Sequence, residues 1–136
     1  PFFLIGGHTR WSIHSQWRES PTMLRLQRGE PLVHVSVEDA GSVGASDGDN
    51  VEMYNDFGSC LCQIKVAPAM KPGSVLMYHA WQPWQFKNGG SDKTLYGSPI
   101  KPLHVVGNYA QLNYRFAGAQ PGHSPRGTRV SIRQIY

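Results

Sequence analysis

Cysteine is nearly absent from this chain: of 136 residues, only Cys60 and Cys62 are cysteine. One residue separates them, so a strand would place both on one face, where neighbours rarely close a disulfide. Without a second pair they make no zinc pattern, and the expected role is that of small buried apolar residues. Charge is also sparse, at 16% of the residues. No apolar run approaches membrane-spanning length, and no stretch reads as a secretory signal. Phosphate loops of the G-x-x-x-x-G-K or G-x-G-x-x-G type are missing, as is the Gly-x-Ser-x-Gly elbow of a serine nucleophile. No two histidines show the one-turn helical spacing of a hydrolytic zinc site, and no carboxylate stands beside them in sequence. A small hydrolase with a histidine-based site is therefore a poor reading, and neither a catalytic residue nor a metal ligand is expected.

What is present points to a β-rich domain. A 40% hydrophobic content fits one globular core, and fifteen glycines with ten prolines argue against a helical bundle. Phe2 to Ile5 reads as a buried strand. Ser20 and Pro21 open a short helix that Gly29 stops. Leu32 to Val37 alternates as a strand should. A short helix runs from Glu38 to Val43, ended by Gly44. Asn50 to Tyr54 and Ser59 to Val66 form a strand pair across a hairpin-length connection that contains Gly58. Ser74 to Tyr78 and Val130 to Ile135 complete the set. Between Trp81 and Gly127 the pattern breaks down, leaving aromatics among glycines and prolines. Several of these should pack the long connection onto the core. Six or so short strands, two short helices and long excursions imply a closed β-barrel. The chain lacks an initiator Met and begins inside an apolar run, so it reads as a piece of a longer polypeptide.

Charge is segregated. Residues 1–18 carry Arg10 and Arg18 and no acid, residues 19–56 hold eight of the nine acids, and residues 57–136 carry nine Lys and Arg against Asp92 alone. If the two basic ends meet, they make a face suited to an anion. Ordinary surface charge with an acidic edge explains the same numbers. The basic residues and aromatics together also allow a stand-alone barrel that binds single-stranded nucleic acid by stacking, although the aromatics do not recur at strand period on one face.

The densest chemistry is His8-Thr9-Arg10-Trp11-Ser12-Ile13-His14-Ser15, released straight after the first strand and two glycines. His8, His14, His79 and His104 all fall at or beyond strand ends. Singly, each reads as a satisfied structural histidine; four at strand ends suggest one site. His123, Ser124 and Arg126 form a second polar cluster before the last strand, open to phosphate, a base edge or plain solvent.

These segments, together with Asp47-Gly48-Asp49-Asn50, Met77-Tyr78-His79-Ala80 and Lys101-Pro102-Leu103-His104 followed by Gly107-Asn108-Tyr109, resemble one family in the same order over almost the whole length. It is the C-terminal domain of the dimethyl sulfoxide reductase family, molybdenum oxidoreductases that bind two molybdopterin guanine dinucleotides. The similarity is greatest to the branch with respiratory nitrate reductase, dimethyl sulfide dehydrogenase and ethylbenzene dehydrogenase. The resemblance implies a six-stranded double-psi β-barrel spanning residues 1–136. It implies that His8, Thr9, Arg10, Trp11, His14 and Ser15 lie against pterin or pyrophosphate. His79 and His104 would reach the pterin near the metal. His123, Ser124 and Arg126 would approach a guanine dinucleotide end. Asn108 stands where related members more often have glycine. The molybdenum ligand and the iron–sulfur cysteines belong to earlier domains in that family. The fragment is therefore expected to be apo and inactive by itself, with upstream domains of the same subunit and an iron–sulfur subunit as partners and no nucleic acid. A periplasmic location in a bacterium or archaeon is expected ahead of a cytoplasmic one.

Overall fold

The computed structural model describes residues 1–96 and 127–135. Six strands close into a mixed barrel: β1 (Phe2–Gly7), β2 (Leu32–Val35), β3 (Asn50–Asn55), β4 (Gly58–Val66), β5 (Ser74–Tyr78) and β6 (Arg129–Gln134), in the order β1-β5-β2-β4-β3-β6. The β1–β5 and β2–β4 pairs are parallel and the other pairs antiparallel. Alternation fills the interior: Val51 and Met53, Cys60, Cys62 and Ile64, Val75 and Met77, and Val130 and Ile132 all point inward. The two cysteines are reduced, buried and on one face, as their spacing implies. Hydrogen bonding with Cys60, then burial, pushes the Cys62 thiol well up, so it behaves as a small apolar group.

Three local expectations need correction. The first strand is not buried throughout. Leu4 alone is fully inside, while Phe3 and Ile5 are nearly half exposed. An unbroken apolar run still alternates faces in a strand, and the outward set meets solvent, with the Arg129 guanidinium 4.8 Å over the Phe3 ring. The second strand stops at Val35, and all four of its residues are buried. Ser36 leaves the ladder to cap α2 (Val37–Val43), its Oγ accepting from the Asp39 amide at 3.0 Å. Gly44, at φ 71°, ends that helix as expected. Ser20 precedes α1 (Pro21–Arg25), but its side chain makes no capping bond. Gly29, at φ 78°, closes the turns that follow by donating to the Leu24 carbonyl.

The β3–β4 hairpin is tight. The Asn55 amide oxygen accepts from Phe57 and Gly58, while its nitrogen donates to the Leu95 carbonyl at 2.7 Å. A Cβ on Gly58 would meet Thr94 at 3.0 Å, so glycine lets the connection after β5 approach the hairpin at Thr94. That connection begins after β5 with two short 3-10 turns, Pro83–Gln85 and Asp92–Leu95. Trp81, Phe86 and Leu95 are buried on the core, as expected of an aromatic-rich excursion, whereas Trp84 is exposed.

A second excursion, residues 8–20, is held to the barrel by Arg18, a fully buried side chain. Its guanidinium donates to Gln27 Oε1 at 2.9 Å and to the His79 carbonyl at 2.6 Å, and it stacks 4.1 Å over the Trp81 ring. Gln85 in turn donates to the Arg18 carbonyl at 2.9 Å. Burial holds this guanidinium below its ordinary value, and the charge of nearby Asp92 opposes that. Arg18→Met should therefore destabilise the fold by roughly 2–4 kcal/mol, because it strands a buried carbonyl and a buried amide. Urea denaturation measures that loss, and limited proteolysis should show new cleavage within residues 8–20. A variant as stable and as protease-resistant as the parent would mean that the loop is anchored elsewhere.

His34, on β2, is 7% exposed, with Nδ1 3.2 Å from the Leu76 carbonyl and its ring edge-on to Tyr78. Burial lowers its pKa from the ordinary 6.5, the Leu76 hydrogen bond opposes the shift, and Lys65 and Arg28 reinforce it. The unfolded chain therefore takes up a proton before the folded chain does, and stability falls as pH drops below 6.5. Buried Asp92 has the opposite sign: burial pushes its carboxyl up, so its contribution to stability grows as pH falls toward 3.8 and is fully present below it. Between about pH 7.5 and about pH 5.5, the melting temperature of the parent should fall more steeply than that of His34→Gln, which cannot titrate. Parallel curves would show that His34 is not the titrating group.

Candidate functional site at one rim of the barrel

The β1–β5 register sets Gly7 beside Tyr78. Parallel strands finish at the same end, so His8 and His79 leave the barrel together. The loop after β1 then turns back and delivers His14 to the same place. His14 Nδ1 lies 3.1 Å from His79 Nε2. The His8 and His79 ring centroids are 4.2 Å apart, and His14 is 5.3 Å from each. His8 and His14 are exposed and His79 is partly covered.

Each ring is aimed by backbone. His79 Nδ1 donates to the Gly7 carbonyl at 2.8 Å, and the His79 amide donates to the same oxygen at 3.0 Å. Since a carbonyl only accepts, the Nδ1 of His79 carries hydrogen and its Nε2 faces His14. His14 sits at φ 51° and Trp17 at φ 70°, left-handed conformations that residues with side chains adopt at a cost. They bend the loop so that the imidazole turns inward over the rim.

The rest of the loop divides into groups that face solvent and groups that hold its shape. Arg10 is exposed, with its guanidinium 5.7 Å over the half-buried Trp11 ring. Ser15 is exposed, and its carbonyl accepts from the Arg18 amide. Thr9 is buried: its hydroxyl donates to Gln27 at 3.4 Å and accepts from the Trp11 amide at 3.3 Å, so it is engaged inside the loop. Ser12 Oγ is buried with no hydrogen-bond partner.

Of the residues singled out from sequence, the fold therefore brings His8, His14 and His79 together at one rim, stacks Arg10 on Trp11 in the loop after β1, and uses Thr9 within that loop. His104, Asn108, His123, Ser124 and Arg126 lie outside the described residues. Sequence reasoning missed Arg18 and Gln27, the supports beneath the rim; no motif separates Arg18 from any other arginine. The two ends of the described chain meet where β1 pairs with β6. The positive face there is only partial, because Arg133 pairs with Glu52 and Arg129 stacks on Phe3.

The donor set suits a large anionic heterocycle. Imidazole, guanidinium, indole and hydroxyl groups are gathered with no acid in residues 1–18, so nothing on this segment repels phosphate. Gly6 is exposed and carries no side chain, which leaves the backbone at the strand end open to close approach.

Comparison with known proteins identifies the family and the fold. A family model described as the Molydopterin dinucleotide binding domain matches residues 2–112. The chain is 38% identical over 114 residues to the alpha subunit of dimethylsulfide dehydrogenase from Rhodovulum sulfidophilum, covering 84% of this chain and 12% of that protein. It is 37% identical over 134 residues to the alpha subunit of perchlorate reductase from Dechloromonas aromatica, covering 98% of this chain and 14% of that protein. It is 43% identical over 99 residues to the alpha subunit of respiratory nitrate reductase from Haloferax mediterranei, covering 73% of this chain and 10% of that protein. Among solved structures, acetylene hydratase from Pelobacter acetylenicus superposes with a TM-score of 0.62 at 14% identity, over 73% of this chain and 15% of that one, a likeness of fold. The chain thus spans about an eighth of the length of such relatives. No helix among the described residues is long and apolar enough to cross a membrane. With a family match across residues 2–112 and relatives of this identity, the chain belongs to the molybdopterin dinucleotide binding domain family, as found in alpha subunits of the dimethyl sulfoxide reductase family.

Proposed function

We propose that this chain is the C-terminal dinucleotide-binding domain of a molybdenum oxidoreductase carrying two molybdopterin guanine dinucleotides, and that its residue 8–15 loop and His79 face that cofactor. One observation supports the reading above the others: three imidazoles from two separate strand ends converge at one rim, on a loop that also carries Arg10 stacked on Trp11 and has no acid in residues 1–18. Residues that merely cap a barrel have no reason to share that corner.

In this reading His8 and His14 donate to ring heteroatoms or phosphate oxygens, His79 accepts through Nε2, Arg10 pairs with pyrophosphate, and Trp11 offers a flat face beside it. Arg18 holds the loop in place without touching the ligand. The bound cofactor supplies the redox chemistry of its metal; the protein here supplies orientation and electrostatics. His79, whose Nδ1 is committed to the Gly7 carbonyl, presents a fixed Nε2 and so sets the hydrogen bonding available to a pterin above it. The rest of the oxidoreductase subunit, and an iron–sulfur subunit beyond it, would be the domain's partners and would hold the metal ligand and the substrate path.

In the parent enzyme that contains this chain, the double variant His8→Ala, Arg10→Ala should retain at most about a tenth of the cofactor after dialysis, since two charge-assisted contacts are lost. The readout is guanine nucleotide released by acid hydrolysis per polypeptide. Full content in the variant would take the loop out of the contact. No guanine nucleotide in the unmodified enzyme would refute the dinucleotide assignment itself. His79→Ala should leave content nearly intact and shift the molybdenum redox potential, which an unchanged potentiometric titration would contradict.

A further inference from the structure

The geometry points to a metal site that sequence spacing does not reveal: His8, His14 and His79 form a three-imidazole site for a divalent transition ion such as zinc or copper, available whenever no dinucleotide covers the rim. The available ring nitrogens of the three residues all lie within 4.8 Å of one another. A tetrahedral ion with bonds of about 2.0–2.1 Å to nitrogen spaces its ligands by roughly 3.3 Å. His14 Nδ1 and His79 Nε2 already stand 3.1 Å apart. His8 completes the set from an exposed position, with its ring centroid 4.2 Å from that of His79.

The support behind the ligands is that of a metal site. A ligating histidine commonly donates its other ring nitrogen to a carbonyl, which fixes the tautomer and raises the basicity of the ligating nitrogen. His79 does this through the Gly7 carbonyl at 2.8 Å. The contact is rigid because the same oxygen also accepts the His79 amide, continuing the β1–β5 ladder. The left-handed backbone at His14 holds the second ring against the first. All three ligands are neutral nitrogen donors, and residues 1–18 contain no acid. Hard ions such as magnesium and calcium, which need oxygen ligands, are therefore excluded in favour of the zinc, copper and nickel class. Both exposed histidines leave the fourth coordination position open to solvent, where water or an anion completes the shell.

The test is calorimetric titration of the full 136-residue chain, free of dinucleotide, with zinc chloride, beside a magnesium chloride control. One zinc ion per chain is expected, with no magnesium uptake. His14→Ala, at an exposed loop position, should weaken zinc binding at least about tenfold while leaving circular dichroism unchanged, and His79→Ala should do the same or more. Replacing cobalt for zinc should give the intense visible absorption of a four-coordinate site, lost in the same variants. Absence of saturable zinc binding overturns the proposal, as does one-to-one binding that the double variant His8→Ala, His14→Ala leaves unchanged. The titration contains zinc alone, so its failure leaves the dinucleotide reading standing, and missing guanine nucleotide in the parent enzyme leaves the zinc site standing.

Discussion

Parallel pairing of β1 with β5 is the constraint on which the rim depends. Two antiparallel neighbours would send their following residues to opposite ends of the barrel. Two parallel ones send them out side by side, and the register from Phe3 with Ser74 to Gly7 with Tyr78 sets how closely. His8 and His79 are seventy-one positions apart in the chain yet emerge as spatial neighbours. The Gly7 carbonyl at the end of this ladder accepts both the amide and the ring nitrogen of His79, so the last strand bond also orients the first site residue. Without that register, the polar residues of the first loop would still be exposed but would face nothing.

The second element is the buried guanidinium of Arg18. Burying a charge is costly unless its donors are met. Here two are met by Gln27 and the His79 carbonyl, Trp81 lies under its face, and Nε is left without a partner. A hydrophobic residue could fill the space, but it could not hold the loop, the helix end and the β5 exit to one another at defined distances. Removing Arg18 leaves those partners unmet, and what it adds beyond a hydrophobic filler is that specificity. The same residue ties the loop to the 3-10 turn after β5 through Gln85.

Several elements were legible in the chain itself. Turn residues bounding short strand-forming runs marked β3, β4 and β5, and Gly44 marked the end of α2, because turns and left-handed backbone are local requirements. Burial was less legible. The run Phe2 to Ile5 looked buried because all its residues are apolar, yet only the face turned inward by alternation is covered. Leu32 to Val37 looked like one strand, although Ser36 satisfies a helix amide better than it satisfies a ladder. Arg18 was invisible as a support, since nothing in its neighbours records that Gln27, His79 and Trp81 would surround it.

Composition and order alone determined that this is a β-rich barrel with a polar loop after its first strand, and the run from His8 to Ser15 already named the chemistry of the rim. Only the tertiary structure decided that His14 and His79 would share a proton-bonding distance, that Thr9 would turn inward, and that a histidine set with no ligand spacing in sequence would close to one cluster. The reason is physical: residue type and local period are properties of neighbouring positions, whereas the distance between two imidazoles sixty-five residues apart is set by strand direction and register, which exist only once the barrel has closed.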